Sequence, residues 1–396
     1  MLYNQQKKVM KKFPPITPLK MMILSLIVSV SISAKNCNAQ SGFQVKPIPA
    51  QYKPSADLLS PYREKANAEK STAYDLTKSL PQGYVTDGSV DYTTYLQQGI
   101  NSNAKVVFPN FPVLVNKSGL GLKSNSTVIF DTNSKLILAP TDAANYQILS
   151  IYNVQNVKLY FPVLEGERKN HKGTKGEWGM GLYIAGATNI DIINPVISDC
   201  WGDGIYLGRT TTSSKDIRIF CPVLNDNRRN GISVVSANGL TIRKAVVCNT
   251  NGRDPQAGID FEPNGNADVL SNILIDAPLT FNNAKIGIAV SIWAMRGKVD
   301  KDATITIRNH VDDSSDNAFL YYGFRDTQDA NSMNGHIQVL NPKWKNNRIS
   351  FVRMGHSERG PNIEFNNVSV SKNNTEQPDS LKRLKRNFGG AKIDFH

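Results

Sequence analysis

Gly204-Ile-Tyr-Leu207 is the clearest copy of a phrase that decides the fold, because its glycine and alternating apolar residues recur along the chain. The other copies are Gly181-Leu-Tyr-Ile184, Gly231-Ile-Ser-Val234, Gly258-Ile-Asp-Phe261 and Gly287-Ile-Ala-Val290. A second phrase, a strand that ends in an apolar turn, recurs in phase with the first, as in Asn194-Pro-Val-Ile197 and Cys221-Pro-Val-Leu224. Short strands at this spacing, without helical stretches between them, predict an all-β solenoid in which each repeat forms one turn.

Asp91-Tyr-Thr-Thr-Tyr-Leu-Gln-Gln-Gly-Ile100 precedes the repeats and predicts a short helix with Asp91 near its N-cap. Leu96 and Ile100 would lie on its inner face and cover the exposed apolar end of the solenoid. This helix, followed by Val106-Val-Phe-Pro109, resembles the opening of the pectate-lyase superfamily.

The resemblance covers residues 83–370 and implies a right-handed, single-stranded parallel β-helix. It also implies action on a polysaccharide, because the superfamily contains polysaccharide lyases, polygalacturonase-related hydrolases, epimerases and phage tailspikes. The paired aspartates and Gly-His-Gly of the polygalacturonases are absent here. Asp254-Pro255-Gln256 lacks the histidine of the epimerases' Asp-Pro-His motif. The resemblance therefore predicts the fold better than it predicts the reaction.

Residues 1–39 read as a secretory signal, with a lysine-rich start, the apolar run Met21–Ile32 and Cys37-Asn38-Ala39 at the cleavage site. We therefore expect a secreted or periplasmic protein without a membrane span. Residues 40–82 would form an extended arm or cap, 83–372 the β-helix domain and 373–396 a basic tail. Cys200, Cys221 and Cys248 would be free thiols in the core.

The formal net charge of +13 is concentrated at the two ends of the chain. Residues 1–39 hold six lysines and no carboxylate, and 381–392 hold five basic residues and no acid. The remainder is close to neutral, and it contains no nucleic-acid-binding module. A polysaccharide is therefore the expected partner, nucleic acid is not expected, and the oligomeric state is not indicated.

Asp260 and Glu262 are the strongest candidates for catalytic residues. Two positions apart on one strand, they would share a face with Cα atoms about 6.6 Å apart. That separation is near the lower limit, about 6.5 Å, of the carboxyl spacing in inverting glycosidases. Crowding would raise the pKa of one carboxyl, which leaves one acid and one base. Asp203, just before Gly204, would be a third carboxylate or a calcium ligand; alternatively, Asp203 is a turn residue and the pair are ordinary surface acids bound to arginine.

Seven further side chains fall on or beside the same outward strip and are predicted to bind substrate. Arginines would hold an anionic group, aromatic rings would stack on sugars, and a histidine lies on the long polar insertion 165–177. These residues are Arg228, Arg229, Tyr206, Tyr183, Trp201, Trp178 and His171. Salt bridges for the arginines, a structural aromatic ladder and a solvated histidine are the competing interpretations.

The sequence thus favours an exported enzyme that cleaves an extracellular polysaccharide by hydrolysis, with a paired-carboxylate mechanism and no cofactor. One alternative is a lyase that uses arginine and tyrosine for β-elimination, with calcium at Asp203 and Asp260. The other is a polysaccharide-binding β-helix without catalytic activity.

Overall fold

The computed structural model describes residues 42–396 apart from 298, 325–332 and 391. The predicted signal, residues 1–39 with Cys37, lies outside the described residues. The chain of the described part winds into a parallel β-helix whose turns stack three sheets, of 12, 11 and 9 strands. The fold expected from the repeated phrases is confirmed.

Sheet A has 12 strands, in spatial order Tyr74–Asp75, Lys105–Val107, Ser126–Ile129, Gln155–Tyr160, Thr188–Ile193, Ser214–Phe220, Ala237–Arg243, Leu270–Asp276, Lys301–Arg308, Met333–Leu340, Asn362–Asn366 and Ile393–Phe395. Sheet B has 11: Pro112–Val115, Lys135–Leu138, Val163–Glu165, Val196–Ser198, Val223–Asn225, Val246–Cys248, Leu279–Phe281, Val311–Asp313, Lys343–Lys345, Ser369–Lys372 and Thr375–Glu376. Sheet C has nine: Leu120–Gly121, Asn145–Tyr152, Trp178–Ala185, Ile205–Gly208, Ile232–Val234, Ala257–Phe261, Ile286–Ser291, Asn317–Tyr322 and Ile349–Met354.

The Gly-Ile phrases form successive strands of sheet C in register, with Ile205 beside Ile232 and Ile232 beside Ile259. These side chains are fully buried in one continuous core, as the alternation predicts. The Pro-Val phrases form sheet B. Left-handed residues turn the chain between sheets, and Asn249 and Asn282 are at φ 59° and 51°. Asparagine tolerates this conformation, which explains its recurrence after sheet B.

Three helices lie among the described residues: α1 Ala56–Lys70, α2 Thr93–Ser102 and α3 Asp379–Phe388. The predicted capping helix is α2; Leu96 and Ile100 are buried in the core, and the Asp91 carboxylate accepts a hydrogen bond from the Thr93 amide at 2.9 Å. None of the helices in this described part is long and apolar enough to cross a membrane.

Residues 42–82 begin with an arm that hydrogen-bonds to Asn249 and Asn282 and continue into α1. Helix α1 packs on the outer face of sheet A through Leu59 and Ala66. The segment 373–396, expected as a tail, contains α3 and the last strand of sheet A. The inward Leu384 of α3 is buried and its basic side chains are exposed.

Asp312 belongs to a fully buried polar network inside the solenoid. Thr280 Oγ1 lies 2.5 Å from Asp312 Oδ2 and 2.7 Å from His310 Nε2, while the Ser315 amide and the Asn347 side chain donate to Asp312 Oδ1. Burial raises the pKa of Asp312 to about 7 and lowers the pKa of His310 to about 3. Both groups are therefore largely neutral in the folded chain at mildly acidic pH.

This network predicts a pH-dependent stability. Asp312 by itself makes the folded state bind more protons than the unfolded state between pH about 4 and 7, because the unfolded carboxyl has a pKa of about 3.9. This contribution makes the free energy of unfolding fall as pH rises, whereas neutral His310 makes it rise up to the unfolded imidazole pKa of about 6.5. Asp312→Asn, which mimics the protonated acid, should remove only the falling contribution, about 3 kcal/mol between pH 5 and pH 8. Urea unfolding of the wild type and the variant at both pH values measures the difference; the same change with pH in the two proteins would contradict the assignment.

Candidate functional site

One outward column crosses the middle of sheet C, and its register is the one predicted. Tyr183, Tyr206, Ser233, Asp260 and Ala289 lie beside one another on consecutive strands. The Tyr183 and Tyr206 rings stack with centroids 5.1 Å apart at an interplanar angle of 11°. A tyrosine ladder therefore leads along the solenoid directly to Ser233 and Asp260.

Three carboxylates and one arginine converge beside this column. Arg229 donates through Nη1 to both carboxylate oxygens of Asp203 at 3.4 Å and through Nη2 to Glu262 Oε2 at 2.5 Å. Asp203 is fully buried and Arg229 nearly so, whereas the Glu262 side chain is 17% exposed. Glu262 is therefore the carboxylate of this cluster that faces solvent.

Asp260 lies beneath that ion pair. Its Oδ2 accepts a hydrogen bond from Asn230 Nδ2 at 3.3 Å, and its Oδ1 is buried without a hydrogen-bond partner. Asn230 Nδ2 also donates to Ser233 Oγ at 3.0 Å, and Ser233 Oγ donates to Asp203 Oδ2 at 2.8 Å. The residue therefore is not the exposed acid expected from the sequence, because Arg229, Asn230 and Glu262 cover its strand position.

Burial and mutual repulsion separate the protonation states of these acids. Burial and the nearby Glu262 charge raise the pKa of Asp260 well above its ordinary value. Burial also raises the pKa of Asp203 to about 6, and the Arg229 charge and the Ser233 hydroxyl limit that rise. Asp260 therefore keeps its proton to a higher pH than an ordinary carboxyl does, next to the ion pair of Glu262 with Arg229.

The turn 262–268 closes over the tyrosine end of the site. Asp268 is buried and accepts from the amides of Asn264 at 2.7 Å and Gly265 at 2.9 Å, which fixes the shape of this turn. The Asn264 side chain hydrogen-bonds to Tyr206, whose pKa is raised mainly by burial. Tyr206 is consequently half-buried, while Tyr152, whose ring stacks on the other side of Tyr183 with centroids 6.3 Å apart, is exposed.

Trp201 and Arg228 form a second group on the neighbouring turn. The Arg228 guanidinium lies 3.6 Å from the centroid of the Trp201 ring and donates to the carbonyls of Gly176 and Trp201. Within the described residues no carboxylate lies within 4.0 Å of Arg228. The structure thus separates the two arginines: Arg229 is bound to acids, whereas Arg228 is bound to carbonyl groups.

The His171 side chain is buried, which argues against the competing interpretation of a solvated histidine and leaves its predicted contact with substrate a prediction. Its ring stacks on Trp201 with centroids 3.7 Å apart, and its Nδ1 lies 2.9 Å from Glu167 Oε1. Tyr146 donates to the same Glu167 oxygen at 2.5 Å, so the insertion 165–177 is anchored to sheet C. His171 and Trp201 therefore have partners of their own, and Trp178, which begins a strand of sheet C, is half-buried.

The acid cluster does not fit a calcium ion. Arg229 bonds to the carboxylates of Asp203 and Glu262, so its guanidinium occupies the position between them that a cation would need. Across the described ranges, no group of three or more His, Cys, Asp and Glu side chains is arranged to hold a metal ion.

Sequence reasoning missed Asn230 and Glu167. Asn230 donates to Asp260 and accepts from the Ala257 amide at 3.0 Å, so it connects two turns. The sequence did contain an indication for Asn230, because it directly precedes Gly231 at the same place in the repeated phrase that Asp203 holds before Gly204. Nothing in the sequence marked Glu167, because its burial depends on Tyr146 from the preceding strand.

Several solved structures share this architecture. The chain is 17% identical to the A-module of the mannuronan C-5 epimerase AlgE4 of Azotobacter vinelandii, with a TM-score of 0.52 over 76% of this chain and 89% of that one. PfbA, a surface adhesin of Streptococcus pneumoniae, is 12% identical, with a TM-score of 0.60 over 76% and 79%. A galactohydrolase named for D-galactose 4-sulfate and 3,6-anhydro-D-galactose 2-sulfate is 14% identical, with a TM-score of 0.53 over 70% and 72%.

Curated sequences give more limited matches. The uncharacterized protein YclG of Bacillus subtilis is 24% identical over 259 residues, 61% of this chain and 43% of YclG. The prophage-derived uncharacterized protein YorA of the same organism is 26% identical over 170 residues, 37% of this chain and 28% of YorA. The chain spans less than half the length of these relatives, and no family model matches it. The likeness to the solved structures shows the fold, a parallel β-helix.

Proposed function

We propose that the chain is an exported enzyme that cleaves a polysaccharide on sheet C, with the Asp203–Arg229–Asp260–Glu262 cluster as its catalytic centre. The observation that carries the proposal is a buried Asp260 with an unpartnered Oδ1 and a raised pKa, next to a more exposed Glu262 that pairs with Arg229. A proton donor and a proton acceptor in one site are what glycoside hydrolysis requires.

In this mechanism Asp260 is the acid and Glu262 the base. Asp260 gives its proton to the glycosidic oxygen as the bond to the anomeric carbon breaks. Glu262 takes a proton from the water whose oxygen bonds to that carbon. Exchange with solvent afterwards returns a proton to Asp260 and removes the proton from Glu262. Arg229 and Ser233 are positioning residues, since they hold Glu262 and Asp203 rather than the sugar.

Sugar binding would use the tyrosine ladder and Arg228. The Tyr183 and Tyr206 rings stack on each other at 5.1 Å along the solenoid, so their outer edges and hydroxyl groups would contact consecutive sugars. The Arg228 guanidinium lies against the Trp201 ring, and its hydrogen bonds to the two carbonyls both use Nη1. Its other N–H groups could donate to a carboxylate or sulfate on the polymer. The polysaccharide would therefore lie along the solenoid axis with its anionic groups toward Arg228.

A substrate can reach Asp260 only if the residues that bury it move. The Glu262 side chain must turn outward, or the turn 262–268 must lift from Tyr206, before the Asp260 carboxyl meets a glycosidic oxygen. The unpartnered Asp260 Oδ1 supports this arrangement, because a buried polar atom without a partner retains a hydrogen bond to offer to a ligand.

The comparisons support a polysaccharide as the substrate class. The epimerase and the galactohydrolase named above are polysaccharide-acting proteins built on the same fold, although fold likeness does not carry a reaction by itself. The lysine-rich apolar start of the chain supports export. The adhesin, which has the highest TM-score of the three, supports binding without catalysis as the second candidate.

The experiment is a panel assay of the chain on acidic and neutral polysaccharides, read for reducing ends and ultraviolet absorbance together. New reducing ends without absorbance are the expected result. Unsaturated, absorbing products would replace hydrolysis with β-elimination. Retention of a polysaccharide on an affinity gel without either product would replace the enzyme with a binding protein.

A further inference from the structure

Helix α1 and the outer face of sheet A enclose a cavity of about 820 Å³. Tyr62, Lys65 and Glu69 of α1 form one wall, and the outward side chains of four consecutive strands, from Gln155–Tyr160 to Ala237–Arg243, form the floor. This cavity lies on sheet A, whereas the acid cluster lies on sheet C. None of its lining residues belongs to the candidate catalytic site.

The charges in this cavity are unbalanced. Its carboxylates already have partners: Glu69 pairs with Lys105 at 2.5 Å, and Asp191 pairs with Arg218. Among the described residues, Lys65 and Lys158 have no carboxylate within 4.0 Å, and both side chains are exposed. Arg243 reaches only 4.0 Å from Asp276 at the cavity's far end. Two lysines are therefore left without an ion-pair partner, and Arg243 shares Asp276 with Arg308, which lies closer to that carboxylate.

Aromatic side chains line the same space. The Tyr62 and Phe220 rings lie 4.7 Å apart, and Tyr160 forms the floor near them. Flat rings beside cations suit a sugar that carries an acidic group, because the ring stacks on the apolar sugar face while the cation meets the carboxylate or sulfate. A phosphate chain without sugars would have no use for these rings.

We propose that the cavity between α1 and sheet A is a second binding site, for an anionic polysaccharide segment bearing carboxylate or sulfate groups. Lys65, Lys158 and Arg243 hold the anionic groups, and Tyr62 with Phe220 contacts the sugar. The site anchors polymer to the protein without taking part in the reaction on sheet C. It does not depend on the proposed function, since a binding protein without catalysis would use it equally.

The test measures binding of the chain to polygalacturonate, dextran sulfate, neutral dextran and polyphosphate at low ionic strength. Lys158→Ala combined with Arg243→Ala should weaken binding to an acidic polysaccharide by about tenfold, because two charge-assisted contacts are lost. Both side chains are exposed, so this double variant should fold normally. Lys215→Ala combined with Arg386→Ala is the matched control, since it removes the same charge at exposed positions outside the cavity.

The control should bind as the wild type does, because it keeps every residue that lines the cavity. Equal losses in both double variants would overturn the proposal, because net charge would then explain the binding. Binding to neutral dextran as strong as to the acidic polymers would overturn it too. So would binding to polyphosphate alone, or no binding to any polymer.

Discussion

Asp260→Asn is expected to lower the rate of polysaccharide cleavage by on the order of 10²–10⁴-fold, the usual contribution of a general acid. Asparagine has the shape of the protonated carboxyl and keeps an acceptor and a donor, but it cannot release the proton. Since burial raises the pKa of Asp260 and favours its neutral form, the substitution by a neutral residue of the same shape should leave the fold and its stability almost unchanged. Initial rates at saturating substrate measure the effect.

The pH profile provides a sharper readout of the same variant. The wild-type rate should fall on the alkaline side as Asp260 loses its proton, and this limb should be missing from the residual activity of Asp260→Asn. Asp316→Asn is the matched control, since Asp316 pairs with exposed Arg348 away from the site. A variant at Asp260 with full activity, or one whose loss follows a lowered melting temperature, would remove Asp260 from the mechanism.

Arg229→Met is expected to destabilise the fold by about 3–5 kcal/mol at pH 7.5, the usual cost of removing one partner from a buried ion pair. Methionine fills much of the same space without charge, so the loss comes from the unpaired carboxylates of Asp203 and Glu262. The penalty should shrink on acidification, because protonation of Asp203, whose pKa is already raised to about 6, removes the buried charge. Urea unfolding at pH 7.5 and pH 5 measures both effects.

Two companion variants separate this effect from lost packing. Adding Asp203→Asn to Arg229→Met should recover part of the stability at pH 7.5, since it removes one of the unpaired charges. Arg308→Met should change stability little, because the Arg308–Asp276 pair is on the surface. A loss at position 229 that is independent of pH and unrelieved by Asp203→Asn would mean that packing of the arginine stem, not charge, is responsible.

The register of the site was predictable because the side-chain period of a strand is fixed. Once the Gly-Ile phrases are aligned, Ser233 and Asp260 must share a face on neighbouring turns. The burial of Ser233 and Asp260 was not predictable from the strand period. It depends on Arg229, which precedes the strand of Ser233, and on the turn 262–268, whose shape is fixed by Asp268.

The same limit applies to His171 and to α1. A histidine among lysines on a long insertion is expected to be solvated. The His171 side chain is only 1% exposed because its ring stacks on Trp201 and contacts Glu167, which the Tyr146 hydroxyl holds in place. Residues 56–70 carry no repeat, so the sequence did not indicate that α1 would pack on sheet A and enclose a cavity. Contacts between segments distant in sequence decide both features.

The most direct test of the account is a crystal structure of the Asp260→Asn variant with a bound oligosaccharide from a polymer that the wild type cleaves. The account predicts sugar rings along Tyr183 and Tyr206 and a glycosidic oxygen within hydrogen-bond reach of residue 260, with Glu262 on the other side of the linkage. An oligosaccharide that occupies only the cavity beneath α1, or that crosses sheet C with no linkage near residue 260, would contradict the catalytic assignment.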